Sequence, residues 1–108
     1  MIFNTLYESA KDGELIFVDG GMLRYHLRND LQITIREILV LPEYQSNGIG
    51  KAMLKMMRDK HKEHTHVLAK CPIELEANQW YKAVGFTLMG TEKTRNGSIL
   101  NLWRLDNA

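Results

Sequence analysis

The stretch from Ile38 to Lys51, Ile-Leu-Val-Leu-Pro-Glu-Tyr-Gln-Ser-Asn-Gly-Ile-Gly-Lys, constrains this chain more than any other. An apolar run reads as a buried strand, Pro42 ends it, and a polar loop carrying Gly48 and Gly50 leads into a long helical pattern. Glycine lets a backbone turn tightly and approach a ligand closely. The first turn of a helix offers N–H groups with no intrahelical acceptor, at the positive end of the helix dipole. Strand, glycine loop and helix opening therefore make a seat for an anion such as a phosphate. Two common phosphate loops do not fit: a Walker loop has a longer glycine spacing closed by Gly-Lys-Ser/Thr, and a dinucleotide fingerprint has three glycines.

A chain of 108 residues is expected to form one domain over residues 1–108, with room for a real core and little else. A net charge of +1 gives no bulk attraction for nucleic acid, so nucleic-acid binding is not expected. The single cysteine, Cys71, rules out an internal disulfide and suits a reducing compartment. No apolar run is long enough to span a bilayer, and no basic segment followed by an apolar one opens the chain, so a cytoplasmic protein without membrane contact is expected.

Taken in order, Phe3, Leu6, Tyr7 and Ala10 predict a short amphipathic helix over Phe3 to Lys11, stopped by Asp12-Gly13. Strands follow at Glu14 to Val18, Met22 to Arg28 and Gln32 to Leu41, joined by turns at Asp19-Gly20-Gly21 and Asn29-Asp30. Strict alternation in the third strand puts Ile33, Ile35, Glu37, Leu39 and Leu41 on one face, and a carboxylate inside an apolar row needs a partner, water or a job. From Gly48 to about His64 the pattern is helical, with an apolar stripe of Ile49, Ala52, Met53, Met56 and Met57 opposite the basic row of Lys51, Lys55, Arg58 and Lys62. His61, His64 and His66 lack a standard zinc spacing, and no metal is expected.

Val67 to Cys71 reads as a short strand ended by Pro72, and Glu74 to Val84 as a second helix capped by Gly85, with Ala77, Trp80, Tyr81 and Val84 as its core stripe. Asn96-Gly97 turns a final hairpin between Leu88 to Thr94 and Ser98 to Leu105. The fold class is thus α/β (α+β): a mixed, mainly antiparallel sheet with a β-meander, a glycine loop opening a long helix, then strand, helix and hairpin.

Gln45-x-x-Gly48-x-Gly50 after a strand ending Val40-x-Pro42 resembles the acyl-CoA-binding motif of the GNAT superfamily of N-acyltransferases. Asn78-Gln79-Trp80-Tyr81-Lys82-Ala83-Val84-Gly85-Phe86, about thirty residues further on, is similar to the Asn-x-Phe-Tyr-x-x-x-Gly-Phe segment of the family's later helix. The element order is also the family's, and the match covers roughly residues 14 to 105. Two departures stand out. Only Met1 to Gly13 precedes the meander, where family members carry a strand and one or two helices that wall the acceptor site. Glu74 stands seven residues before Tyr81, where many members have an Asn that touches the cofactor, and Asn78 is the substitute one turn later.

The resemblance implies an N-acetyltransferase that moves an acetyl group from acetyl-CoA to a primary amine by direct attack. It implies that Gln45, Ser46, Asn47, Gly48, Ile49, Gly50 and Lys51 hold the cofactor pyrophosphate, and that the backbone of Ile38, Leu39 and Val40 pairs with the pantetheine arm. The N–H of Val40 is then the donor that polarises the thioester carbonyl, Tyr81 the acid for the departing thiolate, and Asn78 a further cofactor contact. Glu37 is the candidate general base, directly or through water, while Cys71 is structural because direct attack needs no nucleophilic cysteine. The alternatives are a catalytically weak or inactive acyl-CoA-binding sensor or protein-interaction module, and a phosphate-binding domain unrelated to acyl transfer. The shortened N-terminal region also gives the chain a reason to pair with a copy of itself as a homodimer.

Overall fold

The computed structural model describes residues 7, 8 and 10–107. Tyr7, Glu8, Ala10 and Lys11 are helical, and the rest of the helix expected over Phe3 to Lys11 lies outside the described residues. The elements that follow are β1 (Leu15–Val18), β2 (Gly21–Leu27), β3 (Gln32–Val40), a 3₁₀ turn (Pro42–Tyr44), α1 (Ile49–Lys60), β4 (His66–Pro72), α2 (Ala77–Ala83), β5 (Thr87–Lys93) and β6 (Ile99–Asp106). They build a six-stranded sheet in the order β1-β2-β3-β4-β6-β5. Every pairing is antiparallel except that of β3 with β4, which α1 makes possible as the crossover between parallel neighbours. No helix among the described residues is long and apolar enough to cross a membrane.

Both helices pack on one face of the sheet. Met53, Leu54 and Met57 from α1 and Tyr81 from α2 share a buried cluster with Leu23, Tyr25, Ile33, Ile35, Val67, Ala69 and Trp103 from the strands. The stripe on α1 is rotated from the expected one: Ala52 and Met56 are exposed, and Leu54 is buried in their place. Its register is set by the sheet beneath it, because a Cβ at Gly21 would come within 2.9 Å of both Ile49 and Met53.

The third strand departs from strict alternation. Arg24 pairs with Glu37 but Tyr25 pairs with Ile35, which leaves Arg36 as the extra residue of a β-bulge. Beyond the bulge the faces swap: Ile38 and Val40 join Ile33 and Ile35 against the core, and Leu39 is 59% exposed on the other face. Glu37 is therefore not a carboxylate in an apolar row. It shares the face opposite α1 and α2 with Arg24, whose Nε and Nη2 donate to its Oε1 at 2.8 and 2.7 Å.

The second helix begins three residues later than expected. Asn78 Nδ2 donates to the carbonyls of Pro72 and Leu75, both at 2.8 Å, and this holds the approach to α2 in a turn. Gly85 closes the helix at φ 109°, and the Phe86 N–H reaches back to the Tyr81 carbonyl at 2.9 Å.

Candidate active site

The parallel ladder between β3 and β4 stops at Ile35 and Ala69, yet β3 runs on to Val40 and β4 to Pro72. The bulge at Arg36 is the cause, since an extra residue bends the strand that carries it. The result is an open V with one unpaired edge of β3 facing into it. Leu41 N–H donates to the Gly20 carbonyl at 2.8 Å, which fixes the phase of the antiparallel ladder with β2. By the alternation of that ladder, Glu37 and Leu39 turn their backbone groups to β2, while Ile38 and Val40 turn theirs into the V. Leu39, expected to pair with a pantetheine arm alongside Ile38 and Val40, instead belongs to the β2 ladder. The Val40 carbonyl accepts from Gln45 Nε2 at 3.1 Å, a bond that ties the loop back onto the strand end.

Past the 3₁₀ turn the chain takes two left-handed residues, Ser46 at φ 72° and Gly48 at φ 76°, before α1 begins. Such a conformation costs a non-glycine residue about 1–2 kcal/mol. Gly48 is the N-cap of α1 and supplies no side-chain cap. The first helical bond runs from the Ala52 N–H to the Gly48 carbonyl at 2.9 Å. Among the described residues, the N–H groups of Ser46, Asn47, Gly48, Ile49, Gly50 and Lys51 have no acceptor. A Cβ at Gly48 would meet nothing within 4 Å, so the loop opens to solvent. Gly50 serves a different purpose from Gly48: it makes room for the indole of Trp80, from which a Cβ there would lie 3.0–3.2 Å.

Tyr81 is 5% exposed. Its ring stacks on Trp103 at 6.1 Å and meets Trp80 and Phe86 edge-on at 5.1 Å each. The hydroxyl has no hydrogen-bond partner among the described residues and is not a buried orphaned atom, so it reaches the surface. Burial, with a smaller contribution from the nearby Cys71, pushes the phenol up to about 12. Burial also raises the Cys71 thiol, with help from Glu74, which keeps it protonated and unreactive.

Asn78 does not have a free amide for a cofactor. Besides the two carbonyls its Nδ2 holds, its Oδ1 accepts from Trp103 Nε1 at 2.9 Å and from Asn101 Nδ2 at 3.0 Å. It latches the turn before α2 to β6, and so fixes Trp103 under the ring of Tyr81. Sequence reasoning missed this latch and the Gly50–Trp80 contact, because each joins residues far apart in the chain. His61 and His64 are engaged structurally: His61 Nε2 meets the Tyr25 hydroxyl at 2.8 Å, and His64 Nδ1 meets the His61 carbonyl at 2.8 Å.

The sequence model described as "Acetyltransferase (GNAT) domain" matches residues 5–88, well over half of the chain. The chain belongs to the GNAT acetyltransferase family. No curated protein matches it. Among solved structures, a GNAT-family protein from Desulfovibrio desulfuricans superposes with a TM-score of 0.72 at 19% identity, over 82% of this chain and 62% of that one. The ribosomal-protein-S18-alanine N-acetyltransferase from Escherichia coli gives 0.71 at 18% identity, over 96% and 76%. A Bacillus anthracis protein solved in complex with acetyl coenzyme A gives 0.72 at 18% identity, over 81% and 56%. At these identities the likeness speaks for the GNAT fold. The chain spans about three fifths of the length of the Desulfovibrio and Bacillus proteins.

Proposed function

We propose that this GNAT-family chain is an N-acetyltransferase that takes an acetyl group from acetyl-CoA and delivers it to a primary amine. The observation that carries the reading is the run of six consecutive backbone amides without acceptors, Ser46 to Lys51, where the open end of the V meets the N-terminus of α1. Anions are drawn to such a place by both the donors and the helix dipole, and the pyrophosphate of coenzyme A is one. Bound there, acetyl-CoA supplies the activated thioester.

The chain's own residues then have these roles. Ser46 to Lys51 hold the diphosphate through N–H groups, and Gln45 keeps the loop in place by its bond to Val40. The edge groups of Ile38 and Val40 that face the V accept an extended arm as a further strand, and the Val40 N–H polarises a carbonyl. The amine attacks that carbonyl carbon: a C–N bond forms, the C–S bond breaks, sulfur keeps the electron pair, and the amine gives up a proton. Glu37 Oε2, which has no donor among the described residues, is the acceptor for that proton, directly or through water. Tyr81 is the donor toward sulfur. A phenol at about 12 lies roughly 3–4 pH units above a thiol, so full proton transfer to free thiolate is uphill by about 4–5 kcal/mol. Tyr81 therefore acts mainly as a permanent hydrogen-bond donor, which fits the modest help a thiolate leaving group needs.

Thiol release from acetyl-CoA, followed with and without a panel of amines, tests the reading: amine-dependent release supports it. A second reading, an acyl-CoA binder without turnover, is favoured by the grip of Arg24 on Glu37. It predicts a ligand-induced rise in melting temperature with no thiol release for any amine.

A further inference from the structure

The face of the sheet opposite α1 and α2 holds a cleft of about 630 Å³. Its lining includes His26, Arg28, Asp30, Arg36, Leu68 and Lys70. Thr34 and Leu68 are paired across β3 and β4, one step before the ladder ends, and Arg36 and Lys70 follow them on the two diverging strands. One end of the cleft thus lies at the apex of the V. The amides of Ser46 to Lys51 belong to the opposite face, where α1 packs on Gly21. A thioester lying in the V from the helix side would be met from the cleft side by its acceptor.

The charges in the cleft are unequal in their freedom. His26 is held by Glu14 at 2.9 Å, Lys70 by Glu92 at 2.9 Å, and Arg28 stands 3.9 Å from Asp30. Arg36 has no acidic partner among the described residues, and it is exposed. The bulge is what aims it: as the extra residue of β3, Arg36 lines the cleft at the apex. One uncompensated guanidinium balances one carboxylate in charge and holds it bidentately with its planar fork, whereas a dianion leaves one charge over and a second cation is repelled. A polycationic amine would meet four basic side chains against one acidic one in the lining.

We infer that the acceptor is a small amine bearing a single carboxylate, which docks on Arg36 with its amine directed to the apex of the V. The inference takes its amine from the acetyltransferase reading and its carboxylate from the charge of the cleft.

The test uses the full chain, acetyl-CoA, and glycine, β-alanine and γ-aminobutyrate, each beside its own amide, with phosphoethanolamine as a dianionic arm. Thiol release should favour the best acid over its amide by about tenfold or more in kcat/KM, a preference carried in KM, and Arg36→Glu and Arg36→Ala should abolish it. Arg36 is exposed and has no acidic partner among the described residues, so these variants should fold, and the acetyl-CoA-induced rise in melting temperature reports that they do. The Arg36 Nε–Hε NMR resonance should also shift on titration with the preferred acid, even for an amine that is not turned over. Equal use of acid and amide, a preference for phosphoethanolamine, a preference that survives Arg36→Glu, or an unmoved Arg36 resonance would each overturn the inference. Failure of the acetyltransferase reading itself would show separately, as a melting temperature that ignores acetyl-CoA or as thiol release that no amine, acid or amide, stimulates.

Discussion

Trp80 lies across Gly50 so closely that a Cβ on Gly50 would be 3.0 Å from its indole nitrogen and 3.1 Å from Cζ2. The contact joins α2 to the opening turn of α1, so the ring that neighbours Tyr81 also supports the run of open amides. Gly50 has an ordinary helical backbone, and Gly50→Ala alone would gain about 1 kcal/mol of helix propensity. Against a fixed indole, overpacking costs about 1–3 kcal/mol. Gly50→Ala should therefore destabilise the wild-type chain and stabilise a Trp80→Leu background, a sign reversal that a double-mutant cycle of denaturant unfolding measures directly.

Glu37 is tied to Arg24, whose side chain is only 15% exposed. Glu37→Gln leaves that guanidinium without its charged partner. The pair is partly solvated, so the expected loss of stability is about 1–2 kcal/mol. If Glu37 also takes the amine proton, kcat should fall by roughly 10²-fold with the acetyl-CoA KM unchanged. Unfolding curves and initial rates on the same preparation separate the two roles: a stability loss with unchanged kcat assigns Glu37 to the bulge alone.

Tyr25 and Tyr81 are both pushed from 10.0 to about 12, chiefly by burial, and in the case of Tyr25 also by Glu14. Between those values the folded chain keeps phenolic protons that the unfolded chain releases. Their contribution to stability is complete below pH 10 and is lost as pH rises through 12. Each tyrosine gives a slope of up to about 1.4 kcal/mol per pH unit in that window. Urea midpoints at pH 8, 10 and 11 should fall accordingly, and Tyr81→Phe should flatten the decline. A decline identical in the variant would contradict the burial of this phenol. The same variant should leave stability at pH 8 nearly unchanged, because the hydroxyl has no partner among the described residues, and should slow turnover by at most about 10²-fold.

The order of elements was legible because each rests on local signals. Asn96-Gly97 does turn the last hairpin, with Thr94 N–H on the Ser98 carbonyl at 2.8 Å, and Gly85 does end α2. What stayed hidden depends on pairs distant in the chain. The bulge at Arg36 cannot be read from β3, since it is a mismatch in count between β3 and β2, and missing it put Glu37 and Leu39 on the wrong face. Asn78 read as a cofactor contact because its latch needs Pro72, Leu75, Asn101 and Trp103 to converge, and only the fold brings β6 to it. The glycines at 48 and 50 look alike in sequence but differ in use: one is left-handed and open, the other is covered by Trp80.

The amides of Ser46 to Lys51 are the centre of the account, and the melting temperature with and without acetyl-CoA tests them most directly. At a hundredfold excess over Kd, a ligand that binds only the folded state adds about 2.7 kcal/mol, a rise of roughly 10–20 °C for a domain of this size. Gly48→Trp should lower the melting temperature of the free protein slightly, through its φ of 76°, and should abolish the ligand-induced rise by placing an indole over the amides. That rise is expected in the wild-type chain, and its loss in Gly48→Trp. A wild-type melting temperature that does not move with acetyl-CoA, or an equal rise in both proteins, would contradict it.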